Sequence, residues 1–136
     1  MKPEYQTKWG KGHGNCFQCA LASILELKPE TVPDFCNEYG DEWHEEVVKW
    51  LNQYGLSLIT IEPRNKKLDD YKLKNCILLV CVKNDDDVNH AVIYKNGKII
   101  HDPNFWYCGE YELETIDLII LMNPAEAIKN GKVVKE

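Results

Sequence analysis

Two cysteines open the chemistry of this chain. In "GNCFQC" (residues 14–19), Cys16 and Cys19 stand two residues apart. That spacing suits a metal knuckle, a redox dithiol, or one nucleophilic thiol with an incidental neighbour. A nucleophilic thiol needs a base, and the base needs an orienting group. The four histidines are His13, His44, His90 and His101. His13 lies in a glycine loop, and His44 sits on a helix whose buried stripe runs through other positions. His90 and His101 flank "HAVIYKNGKIIHD", where Asp102 directly follows the second histidine. Cys16, His90 and Asp102 are therefore the residues that can fill the three roles.

The elements that must position them follow from periodicity. Phe17, Ala20, Leu21, Ile24 and Leu25 repeat with helical spacing, which predicts a helix over 16–27 that Pro29 stops. Asn15 is a suitable N-cap. Cys16 would then be the first helical residue, where free backbone N–H groups and the helix dipole favour thiolate over thiol. Gly10, Gly12 and Gly14 let the preceding backbone turn tightly and a substrate come close. Cys19, one turn further in, reads as packing. A second short helix is expected over 31–39, with Pro33 near its first turn, and a third over 42–54. Asp41 would cap the third, and Trp43, Val47, Trp50, Leu51 and Tyr54 would form its buried stripe.

The second half of the chain changes period. Strands are expected at 56–62, 76–82, 90–94, 98–102 and 115–122, with a helical or frayed tail from Pro124. Helices first and strands after predict one α+β domain spanning 1–136, its core at about 5–122, with a largely antiparallel sheet. The turn of the hairpin decides whether His90 meets Asp102. A three-residue loop Lys95-Asn96-Gly97 pairs Tyr94 with Lys98 and sets His90 opposite Asp102, with Cβ atoms about 5 Å apart. A two-residue Asn96-Gly97 turn shifts the register by one and sends the two side chains to opposite faces. The local signal supports the tighter turn about as strongly, and both registers stay open. His101 points away from Asp102 in either.

Composition excludes several classes. Apolar residues make up 44% and charged residues 28% of the 136 residues, the balance of an ordinary globular domain. A formal charge of −6 with a single arginine, Arg64, argues against nucleic-acid binding. The first fifteen residues lack the apolar core of a signal peptide, and no run approaches a membrane span, so a cytoplasmic location is expected. Six cysteines in a reducing compartment read as thiols, ligands or nucleophiles rather than a disulfide framework. A mixed metal site of Cys16, Cys19, His90 and Cys108 is conceivable on spacing. Cys76 and Cys81 lie in an apolar strand and suit burial. The redox reading wants a strand before the C-x-x-C, where this chain has a glycine loop. No cofactor or metal is expected.

"GNCFQCALASIL", "NHAVIYKNGKIIHDPN" and the strand between them resemble papain-like cysteine peptidases. Within that clan the chain looks like the bacteriocin-leader (double-glycine) peptidases and small leader-peptidase-like proteins of bacteria and phages. The resemblance covers about residues 5 to 105. It implies Cys16 as nucleophile, His90 as base, Asp102 as orienting acid, and a peptide or protein substrate. The oxyanion glutamine of that family stands six residues before the cysteine, where this chain has Gly10. Gln6, ten residues before, takes the role if the glycine loop is a small insertion. The family commonly has Gly after the nucleophile, and this chain has Phe17, which either narrows the cleft or turns into the core. The resemblance does not extend to the transporter domain of the leader-exporting peptidases, so the usual leader-exporting arrangement is not expected.

Three other expectations complete the reading. The same fold kept as a binding module, with the dyad unused, is the rival of another class. Deamidation and transglutamination use the same triad as hydrolysis. Trp106 and Tyr107 either cover the dyad or pack in the core, while Glu45 and Glu46 read as a solvated helix face. The Asp85-Asp86-Asp87 run reads as an exposed turn placed to select a cationic substrate.

Overall fold

The computed structural model describes residues 1–63, 73–105 and 109–129. Helix α1 spans Cys16–Leu25, α2 Phe35–Tyr39 and α3 Trp43–Asn52, with 3-10 turns at Pro29–Thr31 and Gly40–Glu42. The strands are β1 Leu56–Ile61, β2 Leu78–Lys83, β3 Asn89–Lys95, β4 Lys98–His101 and β5 Glu112–Leu121, followed by α4 at Pro124–Lys129. They form one antiparallel sheet in the order β1-β5-β2-β3-β4. The architecture is α+β, as the change of period predicts.

Alternation along the strands separates two apolar layers. On one face Leu56, Leu58, Leu79, Ala91 and Ile93 pack beneath α1, α2 and α3. On the other, Leu78, Val80, Val82, Val92 and Ile116 form a second cluster. Helix α1 is buried well beyond a narrow stripe, including Cys19, Ala22 and Ser23, so it is the central helix of its layer. Phe17 turns into this core, edge-on to Trp43 at 5.1 Å and to Phe35 at 6.5 Å.

Several boundaries differ from expectation for physical reasons. Helix α1 ends at Leu25 because Glu26 adopts a left-handed backbone, φ 56°, and its N–H turns back to the Ala22 and Ser23 carbonyls. The helix predicted over 31–39 is broken: Pro29 starts a 3-10 turn, Val32 is extended, and α2 begins only at Phe35. Asp41 lies inside a 3-10 turn and does not cap α3; Glu42 holds that position without a side-chain cap bond. Val47 and Leu51 carry the buried stripe of α3, whereas Tyr54, beyond its end, is 57% exposed. Strand β5 starts at Glu112, three residues before the predicted strand.

The β3–β4 hairpin departs from both candidate registers. Asn96 and Gly97 have φ of 52° and 78°, the paired positive values of a tight two-residue turn, and Lys95 pairs with Lys98 and Tyr94 with Ile99. The three-residue loop is not formed. The register then shifts between Tyr94 and Ile93, which pairs with His101 and leaves Ile100 as the extra residue of a bulge. One inserted residue reverses the face of everything beyond it. The bulge thus returns Asp102 to the side of His90, on a diagonal rather than directly across.

Candidate active site

Cys16 is half-buried at the first position of α1. Asn15 precedes it but makes no side-chain cap bond to the helix. Its Oδ1 instead accepts from the backbone N–H groups of Thr7 and Lys8, both at 3.0 Å. Its Nδ2 donates to Thr7 Oγ1 at 3.2 Å and to Gln18 Oε1 at 3.1 Å. Asn15 is a clamp that fastens the N-terminal segment to the start of α1, which corrects the capping expectation. The segment competes successfully because its two N–H groups have no secondary structure of their own to bond.

That segment is held along its length. Glu4 N–H donates to Ser23 Oγ at 2.9 Å, and the Glu4 carbonyl bonds His101 Nε2 at 2.7 Å. Cys19 Sγ donates to the Tyr5 carbonyl at 3.4 Å, and Gln6 N–H to the Pro103 carbonyl at 3.0 Å. His101 and Cys19 are therefore structural. Burial pushes the Cys19 thiol up to about 12, aided by the nearby Cys16, so it stays protonated and unreactive.

The anchored segment delivers Gln6 to the site despite its ten-residue separation from Cys16. The loop between them closes on itself: Asn15 N–H donates to the Lys8 carbonyl at 3.3 Å, and Gly14 N–H to the Gly10 carbonyl at 3.0 Å. Gly10 and Gly12, with φ of 101° and 78°, make the left-handed turns this needs. Gln6 is buried and lines one cleft together with Cys16, His90, Asn104 and Tyr111. Its Nε2 donates to the Lys8 carbonyl at 3.0 Å, which uses one of the two amide hydrogens.

His90, the second residue of β3, is only 8% exposed. Its Nε2 bonds Asp102 Oδ1 at 2.6 Å, and Cys16 lines the same cleft beside it. Burial disfavours the imidazolium, but the Asp102 hydrogen bond and the negative potential of Cys16 and Asp102 outweigh it. His90 is pushed up to about 9. Burial likewise acts to raise Asp102, yet hydrogen bonds from His90, Tyr111 and the Asn104 backbone hold its carboxyl below the usual range. Cys16 and His90 thus share one cleft, and Asp102 is bonded to the imidazole.

Tyr111 is a member that sequence reasoning did not single out. Its hydroxyl donates to Asp102 Oδ2, and its ring stacks on His90 with centroids 5.6 Å apart and planes 28° apart. A tyrosine just ahead of a strand carries no local signal of such a role. Asn104, also unpredicted, lines the cleft and donates its N–H to Asp102 Oδ1 at 2.8 Å.

A second lobe of the cleft continues past Cys16 along Gly12, His13, Cys36 and Asn37. Asp86 lines the first lobe and Asp87 the second. The acidic run is a β2–β3 turn organised by Asn84, whose Oδ1 accepts from the Asp86 and Val88 N–H groups. Lys83 pairs with Asp87 at 3.3 Å and partly neutralises that wall. His44 lies apart from the site, bonded to Thr60 Oγ1 at 3.0 Å. Glu45 is exposed, and Glu46 is an ion-pair partner of Lys49 at 3.0 Å. Trp106, Tyr107 and Cys108 fall outside the described residues. Among the described residues, no group of three His, Cys, Asp or Glu side chains is arranged to hold a metal ion, and no helix is long and apolar enough to cross a membrane.

Set beside protein-family models, curated proteins and solved structures, the chain has no match, and the chemistry of the site has to be argued from its own geometry.

Proposed function

We propose that this chain is a cysteine-dependent hydrolase of papain-like fold, a peptidase or amide hydrolase acting on peptide or protein substrates in the cytoplasm. The observation that carries the reading is the shared cleft: Cys16 and His90 line it together, and His90 is held through Nε2 at 2.6 Å by Asp102. A buried histidine raised to about 9 holds a proton near neutral pH and has one to give to a leaving amine.

The reaction follows from these positions. His90 takes the Cys16 proton, and Sγ attacks the carbonyl carbon of a bound amide. In this reading the resulting oxyanion is met by the free amide hydrogen of Gln6 Nε2 and by the Cys16 backbone N–H, donors of a kind each worth about 3 kcal/mol to such an intermediate. Collapse breaks the C–N bond, and the departing amine takes the proton from His90. Water, giving a proton to His90, then attacks the thioester and releases the acid and the free thiol. Replacing water by an amine, or the substrate by a glutamine side chain, converts the same steps to transglutamination or deamidation.

Alkylation with iodoacetamide near neutral pH tests the reading without a known substrate. Cys16 is expected to label rapidly and stoichiometrically, and the rapid phase to vanish in His90→Ala. Labelling of Cys16 no faster than of the exposed Cys36 defeats the enzyme and favours a binding module.

A further inference from the structure

We infer that Tyr111 is a fourth working member of the site, a positioning residue whose hydroxyl fixes the plane of the Asp102 carboxylate and whose ring shields the His90 imidazole. The inference rests on the Cys16–His90–Asp102 reading and deepens it.

The two oxygens of Asp102 are held differently. Oδ1 takes the His90 Nε2 at 2.6 Å and the Asn104 N–H at 2.8 Å. Oδ2 has the Tyr111 hydroxyl as its hydrogen-bond donor among the described residues. A carboxylate bonded at one oxygen still swings about Cβ–Cγ, whereas a donor on each oxygen defines its plane. Bonds to an ionised acceptor are also the stronger kind.

The ring is itself well anchored. Tyr111 packs, partly buried, against the cluster of Leu78, Val80, Val82, Val92 and Ile116, while its hydroxyl and one ring face meet the site. It precedes β5, which β2 separates from the β3–β4 hairpin. The hydroxyl therefore ties the hairpin carrying His90 and Asp102 to a part of the sheet that β4 does not touch. Stacked at 5.6 Å, the ring covers one face of the imidazole, and excluding water there strengthens the bonds in the imidazole plane.

Two variants separate ring from hydroxyl. Tyr111→Phe keeps the stack and removes the donor; Tyr111→Leu removes both. The first readout is the titration of the His90 imidazole by NMR, which does not depend on catalysis. In Tyr111→Phe it is expected to fall by about half a pH unit or more, because a loosened carboxylate supports the imidazolium less well. The second readout is the pH profile of Cys16 alkylation. Its rate near pH 6 should drop about tenfold, the scale of one hydrogen bond to a charged group, as the loosened carboxylate supports the imidazolium less well. Tyr111→Leu should also lower the plateau, which Tyr111→Phe restores. An unchanged His90 titration in Tyr111→Phe overturns the inference. A rise also overturns it, because the hydroxyl then only shares the charge of Asp102. If rapid, His90-dependent labelling persists in either case, the triad survives without its fourth member. If wild-type Cys16 is unreactive, the enzymatic reading fails, and the His90 titration alone still decides the role of Tyr111.

Discussion

Asn15→Asp distinguishes a clamp from a helix cap. Aspartate caps helices as well as asparagine does and is better placed than asparagine against the positive end of the dipole. Were Asn15 a cap, the variant would be neutral or slightly stabilising. As a clamp it loses the Nδ2 donor and its bonds to Thr7 Oγ1 and Gln18 Oε1. Thr7 can answer by rotating its hydroxyl to donate. Gln18 cannot answer by flipping its amide, because its Nε2 already donates to the Pro29 and Val32 carbonyls, both at 2.8 Å. A carboxylate oxygen would face an amide oxygen at about the 3.1 Å now spanned by a hydrogen bond.

The cost can be estimated from these contacts. Losing a buried neutral hydrogen bond and leaving its acceptor unpaired costs about 1–3 kcal/mol. Asn15 is 4% exposed, so the new charge is also desolvated, although the Thr7 and Lys8 N–H groups still solvate one of its oxygens. Together these give about 2–4 kcal/mol at pH 7. At about 3–5 °C per kcal/mol for a domain of this size, the midpoint should fall by about 6–20 °C. Thermal unfolding followed by circular dichroism at pH 7 and pH 4 measures it. The loss should shrink at the lower pH, where the introduced carboxyl takes up a proton and can donate to Gln18. The same variant should slow Cys16 acylation, since the clamp also sets the path to Gln6. A variant as stable as the wild type, or more stable, refutes the clamp.

Two further outcomes are expected. Gln6→Ala should cut acylation of Cys16 by p-nitrophenyl acetate about 100-fold while leaving iodoacetamide alkylation little changed, because only the first builds an oxyanion; equal losses in both, measured by burst kinetics and mass spectrometry, would place Gln6 in support of the fold instead. Although burial opposes it, the Asp102 hydrogen bond and the negative potential around the ring raise folded His90 to about 9, above the unfolded 6.5. Its stabilisation is thus fully present below pH 6.5 and is lost as pH rises through about 9. Urea unfolding of wild type and His90→Gln from pH 6 to 9.5 should show a gap that narrows with pH, and a gap that is constant or widens contradicts the ion pair.

Local rules carried the sequence a long way. The short β-branched runs "CILLVCV" and "HAVIY", bounded by turn residues, and the helical spacing of Phe17, Ala20, Leu21 and Ile24 can each be read along the chain. Local signals also start α1 at Cys16, while they leave the two-residue and three-residue turns at Asn96-Gly97 equally open. What they could not supply is any contact set by competition between distant segments. Asn15 has the composition of a cap, yet Thr7 and Lys8, whose N–H groups had no other partner, took its carbonyl oxygen. Tyr111 shows nothing in its own surroundings, and its partner Asp102 comes from another part of the sheet. The decisive case is Ile100. The tight turn by itself would have put His90 and Asp102 on opposite faces, and one bulged residue restored them to the same side. The sequence determined that Cys16 would open a helix and that a hairpin would carry His90 and Asp102. Whether those three met was decided by the tertiary structure, because strand parity reverses with a single residue and only the packing of the whole sheet selects where that residue is inserted.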